Sequence, residues 1–230
     1  MVWDMRADGS RTRVLVLYLI LFFAAWTASE LLLVPHLAGL SRPALILVRE
    51  VGLKGLIWLL PALLLIRRYD GSLAVPVRDL FRRPKSWSLC VEILVILAAC
   101  LVLGSLLRTH GLALSPEFIP ADLIWIALVG LMEETVFRGW LLNFLLEPED
   151  LEGEKLPWKP VAFTSVLFLL IHFPLWYRTG ALAANMAGGA FVSILFLSVL
   201  FSWTFLRTRS LLVPIVIHSF WDLLVTIIAI

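Results

Sequence analysis

An all-α, multi-pass membrane bundle of about seven helices is the fold this sequence predicts, and three observations predict it. The 230 residues are 61% hydrophobic and only 16% charged, with a mean hydropathy of +0.96. Soluble domains run nearer half apolar and a quarter charged. Apolar stretches over 14–35, 44–66, 87–107, 121–146, 160–177, 186–206 and 210–229 reach or approach the roughly 20 residues a helix needs to cross hydrocarbon. The basic residues, finally, gather in alternate loops between those stretches. Residues 1–230 therefore read as one integral membrane domain, with no soluble domain, internal repeat or low-complexity tract.

Taken in order, the first stretch follows Arg6, Arg11 and Arg13 and outlasts a signal-peptide core, so it is expected to be a retained span. The second is interrupted by Arg49, Glu50 and Lys54, so its first half is expected in the interface, with a kink at Pro61. Glu50 and Lys54 stand one helical turn apart and can neutralise each other. The third holds Cys90 and Cys100, ten residues and about 15 Å apart on one helix, which is too far for a disulfide. The fourth contains Glu133, Glu134 and Arg138. In the fifth, Pro174 is expected to bend the helix just after His172. In the sixth, Ala187, Gly188, Gly189 and Ala190 are small enough for close helix approach. The seventh carries His218 and Asp222. Trp87, Trp158 and Trp176 are expected as interface anchors. His36 and His110 fall in loops and carry no mark of function.

Charge gives the orientation. Thirteen Lys and Arg lie in the amino-terminal segment and in the loops two, four and six spans later, against three (Arg42, Arg108 and Arg178) in the other loops. Positive loops stay inside, so the N-terminus is cytoplasmic. The formal charge of +2 gives no reason to expect nucleic acid as a partner. The acidic loop over 147–155 reads as a solvated connection.

Charge in mid-span costs about 2.5–3.5 kcal/mol even on lenient insertion scales, which marks it as functional by default. Counted at 1.5 Å per residue, Glu133 lies roughly 18 Å down the fourth span and His218 about 12 Å into the seventh. His172 sits at a comparable depth in the fifth. Glu134 and Arg138, four apart, share a helix face and can form an ion pair. Glu133, rotated about 100° from Glu134, is left without a neighbouring cation, and a desolvated, unpaired carboxylate is suited to act as a general base. Phe168 and His172 are four apart, as are His218 and Asp222, so the Asp222 carboxyl can orient the imidazole from one turn away.

The sets EETVFR (Glu133 to Arg138), FLLIH (Phe168 to His172) and HSFWD (His218 to Asp222) resemble, in order, the EExxxR, FxxxH and HxxxN/D motifs of the CPBP family. That family holds CAAX prenyl endopeptidases and bacteriocin-processing and immunity proteins of the Abi type. The resemblance covers about residues 121–225; the spans within 1–110 carry no motif. It implies a glutamate-type intramembrane peptidase in which Glu133 and His172 activate water and His218 and Asp222 stabilise the oxyanion. Glu134, Arg138 and Phe168 would support the site. Many relatives carry asparagine where this chain has Asp222, which donates a hydrogen bond only when protonated; ionised, it would accept from His218 instead.

Implied partners are a membrane-associated protein or peptide substrate and the bilayer, in the cytoplasmic membrane of a bacterium or archaeon. No cofactor is expected. A zinc peptidase is the first alternative, since the site residues include N and O donors, although HExxH is absent and Arg138 opposes a cation. A transporter is the second, and a chain without repeated halves argues against it. A non-catalytic peptide-binding or immunity protein is the third.

Overall fold

In the computed structural model, which describes residues 9–109, 111, 115–153 and 155–228, the elements are helical throughout. Arg6, His110 and part of the acidic loop lie outside the described residues. Helix α1 runs Gly9–Leu37, widening to π-type turns at Ser29–Leu33. Helix α2 is continuous over 42–68 and carries π-type turns at Leu47–Leu53 and Gly55–Leu59. A short α3, Val77–Leu80, leads to α4, Ser88–Thr109. Helix α5 covers 122–145 and is π-type over Thr135–Leu142. The C-terminal half has α6 (Trp158–Leu170), α7 (Phe173–Arg178), α8 (Leu182–Ala187), α9 (Ala190–Thr208) and α10 (Leu212–Ile227).

The bundle is turned inside out relative to a soluble protein. Large apolar side chains face outward, among them Leu17, Leu56, Val95, Leu107 and Phe196, while Glu30, Glu134, Arg138 and Asn143 are fully enclosed. Such a distribution is stable where the surroundings are hydrocarbon and buried charges are paired. By length and apolarity, Gly9–Leu37, Ser88–Leu107, Trp158–Arg178 and Ala190–Thr208 each suffice to cross a membrane, and Leu212–Ile227 is a shorter apolar helix. The expected second and fourth spans form as helices, yet each carries three charges in its middle, so length and apolarity alone do not establish seven crossings.

Helix α5 is the axis. Every residue over 132–146 is buried. Its aromatic face, Phe137, Trp140 and Phe144, packs on Tyr18, Phe22 and Trp58 of α1 and α2 and on Phe168 of α6. A second cluster joins Cys90, Ile93 and Leu97 of α4 to Leu197 and Phe201 of α9 and Val213 and Ile217 of α10. Helices α5 and α10 meet closely at Gly130, where even a methyl group would collide with Ser219 and come within 3.2 Å of the Ile215 carbonyl.

The loops segregate to two ends. At one, Arg11 donates to the Ser72 and Phe144 carbonyls, Ser210 Oγ–H to Arg82 O and Arg209 to Leu151 O. Asn143 ties the same end by bonding both the amide and the carbonyl of Val75. At the other, Arg42 pairs with buried Asp122 at 2.8 Å. Loops expected on the same side are thus on the same end.

Three local expectations change. The fifth span does not bend at Pro174; it breaks at Ile171–His172, and Pro174 opens the new helix α7. The small residues Ala187–Ala190 are a turn rather than a packing seam, with Gly189 at φ 82° between α8 and α9. Trp176 is buried against His172 and Phe173, not at an interface. In the charged part of α2, Glu50 and Lys54 are both buried, 2.9 Å apart, as their one-turn spacing predicts.

Candidate active site

The π-type stretch of α5 begins directly after Glu133 and Glu134, where the Thr135 hydroxyl donates back to Leu131 O at 2.7 Å. Hydroxyl back-bonding and π turns both loosen the regular ladder, and π turns recur at functional sites. Arg138 remains on the Glu134 face, with Nη1 at 2.9 Å from Glu134 Oε1. Its other terminal nitrogen donates to Ser198 of α9, to Oγ at 2.7 Å and to the carbonyl at 2.8 Å. The guanidinium lies over the rings of Phe168 and Phe201 at 4.8 and 5.3 Å. The expected ion pair is present, and it also joins α5 to α9.

His218 of α10 is held by Glu134. Its Nδ1 lies 2.7 Å from Glu134 Oε1, the same oxygen that Arg138 engages. A carboxylate that accepts from Arg138 accepts from His218 also, so Nδ1–H donates and Nε2 turns inward. Nε2 is 3.8 Å from Glu133 Oε2 and 3.6 Å from Asp222 Oδ2. The imidazole stacks on Phe201, centroids 4.8 Å apart. Asp222 stands beside the ring from one turn away, at ion-pair distance, and a second, shorter bond that the sequence did not suggest comes from Glu134.

The helix break explains how His172 is presented. The Ile171 amide bonds Leu167 O and the His172 amide bonds Leu169 O, which passes over the Phe168 carbonyl. That carbonyl instead receives His172 Nδ1 at 2.9 Å. A carbonyl can only accept, so Nδ1 carries the proton and Nε2 keeps its lone pair. Phe168 is the hub between the motifs, its ring 5.0 Å from Phe137, 5.5 Å from His172 and 5.9 Å from His218. Glu133 and His172 are electrostatic neighbours. The break itself is clamped: Trp26 Nε1–H donates to Ile171 O at 2.9 Å, and Arg178 at the end of α7 reaches Glu30 at 3.1 Å.

Glu133 was expected to lack a cation, and it has one. Lys54 Nζ of α2 lies 3.4 Å from Glu133 Oε1. Sequence reasoning assigned Lys54 to Glu50 alone, and Glu30, which binds Arg49 at 2.9 Å as well as Arg178, received no role. Both carry the signal that singled out Glu133, a charge within an apolar run. Among the described residues no group of three or more His, Cys, Asp or Glu side chains is set to hold a metal ion.

A helical bundle with an apolar exterior and a charged cluster enclosed by its central helix is an integral membrane protein built around a polar site. Residues 115–224 match the family described as Type II CAAX prenyl endopeptidase Rce1-like, a protease family of the CPBP group, and the match covers the part of the chain that carries the motifs. The match spans α5 to α10 and all three motifs, and leaves out α1 to α4. No curated protein and no solved structure matches the chain.

Proposed function

We propose that the protein is a glutamate-type intramembrane endopeptidase that hydrolyses a peptide bond in a membrane-associated protein or peptide. The observation that supports this most is the convergence of the motif helices on Glu133 inside an apolar bundle, with His218 Nε2 at 3.8 Å from its Oε2. Glu133 takes a proton from a water whose oxygen attacks the scissile carbonyl carbon, and later delivers that proton to the leaving amine. His172 Nε2, free because Nδ1–H is committed to Phe168 O, is the second acceptor for the same water. His218, with Nδ1–H bound to Glu134, presents Nε2–H to the developing oxyanion as an imidazolium. Asp222 sits beside that nitrogen as an ionised counter-charge. Glu134 and Arg138 hold the ring and the helices in place. Catalysis by this cluster needs no metal, because Lys54 and Arg138 already supply fixed positive charge beside the two glutamates a zinc ion would use. The prenylated CAAX protein named by the family is one substrate of this class. Residues 121–225 act as the catalytic core, in a cytoplasmic membrane of a bacterium or archaeon with the N-terminus inside.

The test is hydrolysis of a membrane-anchored fluorogenic peptide by the full chain in liposomes. Glu133→Gln should lower the rate by roughly 10²–10⁴-fold, the range of general acid–base catalysis, with normal insertion. Wild-type activity should survive strong chelators. A Gln variant within a few-fold of wild type would overturn the mechanism, and chelator-sensitive activity restored by zinc would turn the reading to a zinc peptidase.

A further inference from the structure

We infer that Lys54, outside the family match and all three motifs, is a positioning residue of this site, pinning one oxygen of Glu133 so that the other faces the histidines. The inference rests on the peptidase reading above.

Lys54 is enclosed, its residue surface only 6% exposed. Its ammonium has three protons to place. Glu50 Oε2 lies 2.9 Å away as an ion pair, and Glu133 Oε1 accepts a hydrogen bond at 3.4 Å. The rings of Trp58 and Trp26 cover the group at 5.2 and 5.7 Å. Aromatic faces stabilise a desolvated cation without competing for its protons. The ammonium is thus aimed by its surroundings at two carboxylates.

A lysine present only to balance Glu50 would not need the second carboxylate. Glu50 also has Arg49 at 3.6 Å, and Arg49 in turn is bonded to Glu30. The positive charge on this face of α2 therefore exceeds what Glu50 requires, and the excess points across 79 residues of sequence to Glu133. The terminal torsion of a glutamate is soft and roughly two-fold, so a carboxylate without a fixed partner exchanges its oxygens freely. With Oε1 tied to Lys54, Oε2 is the oxygen 3.8 Å from His218 Nε2. Lysine suits this task because its ammonium is a compact point charge, whereas a guanidinium spreads its donors over a planar fork.

The decisive variant removes the α2 pair together. Lys54→Met alone leaves buried Glu50 with only Arg49, 3.6 Å away and shared with Glu30, and can cost folding; Glu50→Gln/Lys54→Met removes that carboxylate charge together with its cation. With a membrane-anchored peptide substrate in liposomes, the double variant should keep KM within about threefold and lose on the order of 10–100-fold in kcat per folded enzyme, the scale of a misplaced reacting group. Lys54→Gln, which keeps a donor but not the charge, should fall between the double variant and wild type. A double variant with unchanged kcat per folded enzyme, or one whose loss lies in KM or in folded yield alone, overturns the inference. Glu133→Gln measured in parallel separates the two readings. If it stays active, the peptidase mechanism is wrong; if it is inactive while the Lys54 variants match wild type, only the role of Lys54 falls.

Discussion

Two donors meet at one oxygen of Glu134: Arg138 at 2.9 Å along the helix and His218 at 2.7 Å across the bundle. The first was legible from the sequence because i and i+4 share a helix face whatever the tertiary fold. The second was not, since 84 residues separate the partners and only the crossing of α5 and α10 joins them. Lys54 and Glu133 escaped for the same reason. Removing Arg138 should therefore do more than break a local pair. Arg138→Ala leaves fully buried Glu134 with His218 as its remaining donor and frees the Ser198 contacts that hold α9. Loss of one partner of a buried pair typically costs about 3–5 kcal/mol. Arg138→Lys should recover little, because one ammonium cannot span Glu134 and Ser198 as the fork does. Thermal melting in detergent measures both; an Ala variant that melts as wild type would remove the ion pair from the fold's support.

At the scale of helices, a hydropathy pattern marks where spans lie but not where they stop being regular. Pro174 announced an irregularity near His172. The sequence did not reveal that the break falls two to three residues earlier, or that it frees the Phe168 carbonyl for the imidazole, because that depends on which amide skips which carbonyl. The glycines misled in the same way. Gly188 and Gly189 make a turn, while the close approach of helices that small residues permit occurs at Gly130, isolated in an apolar run. Gly130 lies one turn before Glu133, against the helix that carries His218, so packing there sets the distance between the two. Gly130→Ala should lower both the melting temperature and the peptidase rate, by an overpacking cost of about 1–3 kcal/mol. Ser219→Ala, which removes the oxygen the new methyl meets first, should restore part of each. An alanine variant with wild-type rate would show that α5 and α10 can separate without disturbing the site.

For the whole molecule, the sequence-derived alternation of basic loops agrees with the two ends seen in the fold, because loop charge is set by the membrane faces and not by side-chain packing. Which end faces the cytoplasm is open to direct measurement. In a chain with Cys90 and Cys100 replaced, a cysteine at Asp79 should resist an impermeant thiol reagent added outside, and one at Ser41 should react. Reversed labelling would invert the orientation, and labelling of both would mean that a helix run does not cross. The enclosure of α5 has a further consequence, for how the protein is made. A helix with three charges at its centre partitions poorly into lipid by itself. When it leaves the ribosome, Lys54 and Arg49 already exist, but Ser198 and His218 lie 60 and 84 residues downstream of their partners on α5 and are not yet synthesised. The axis of the bundle must then wait beside the insertion machinery for helices that close around it, so maturation is a late event tied to completion of the last helix.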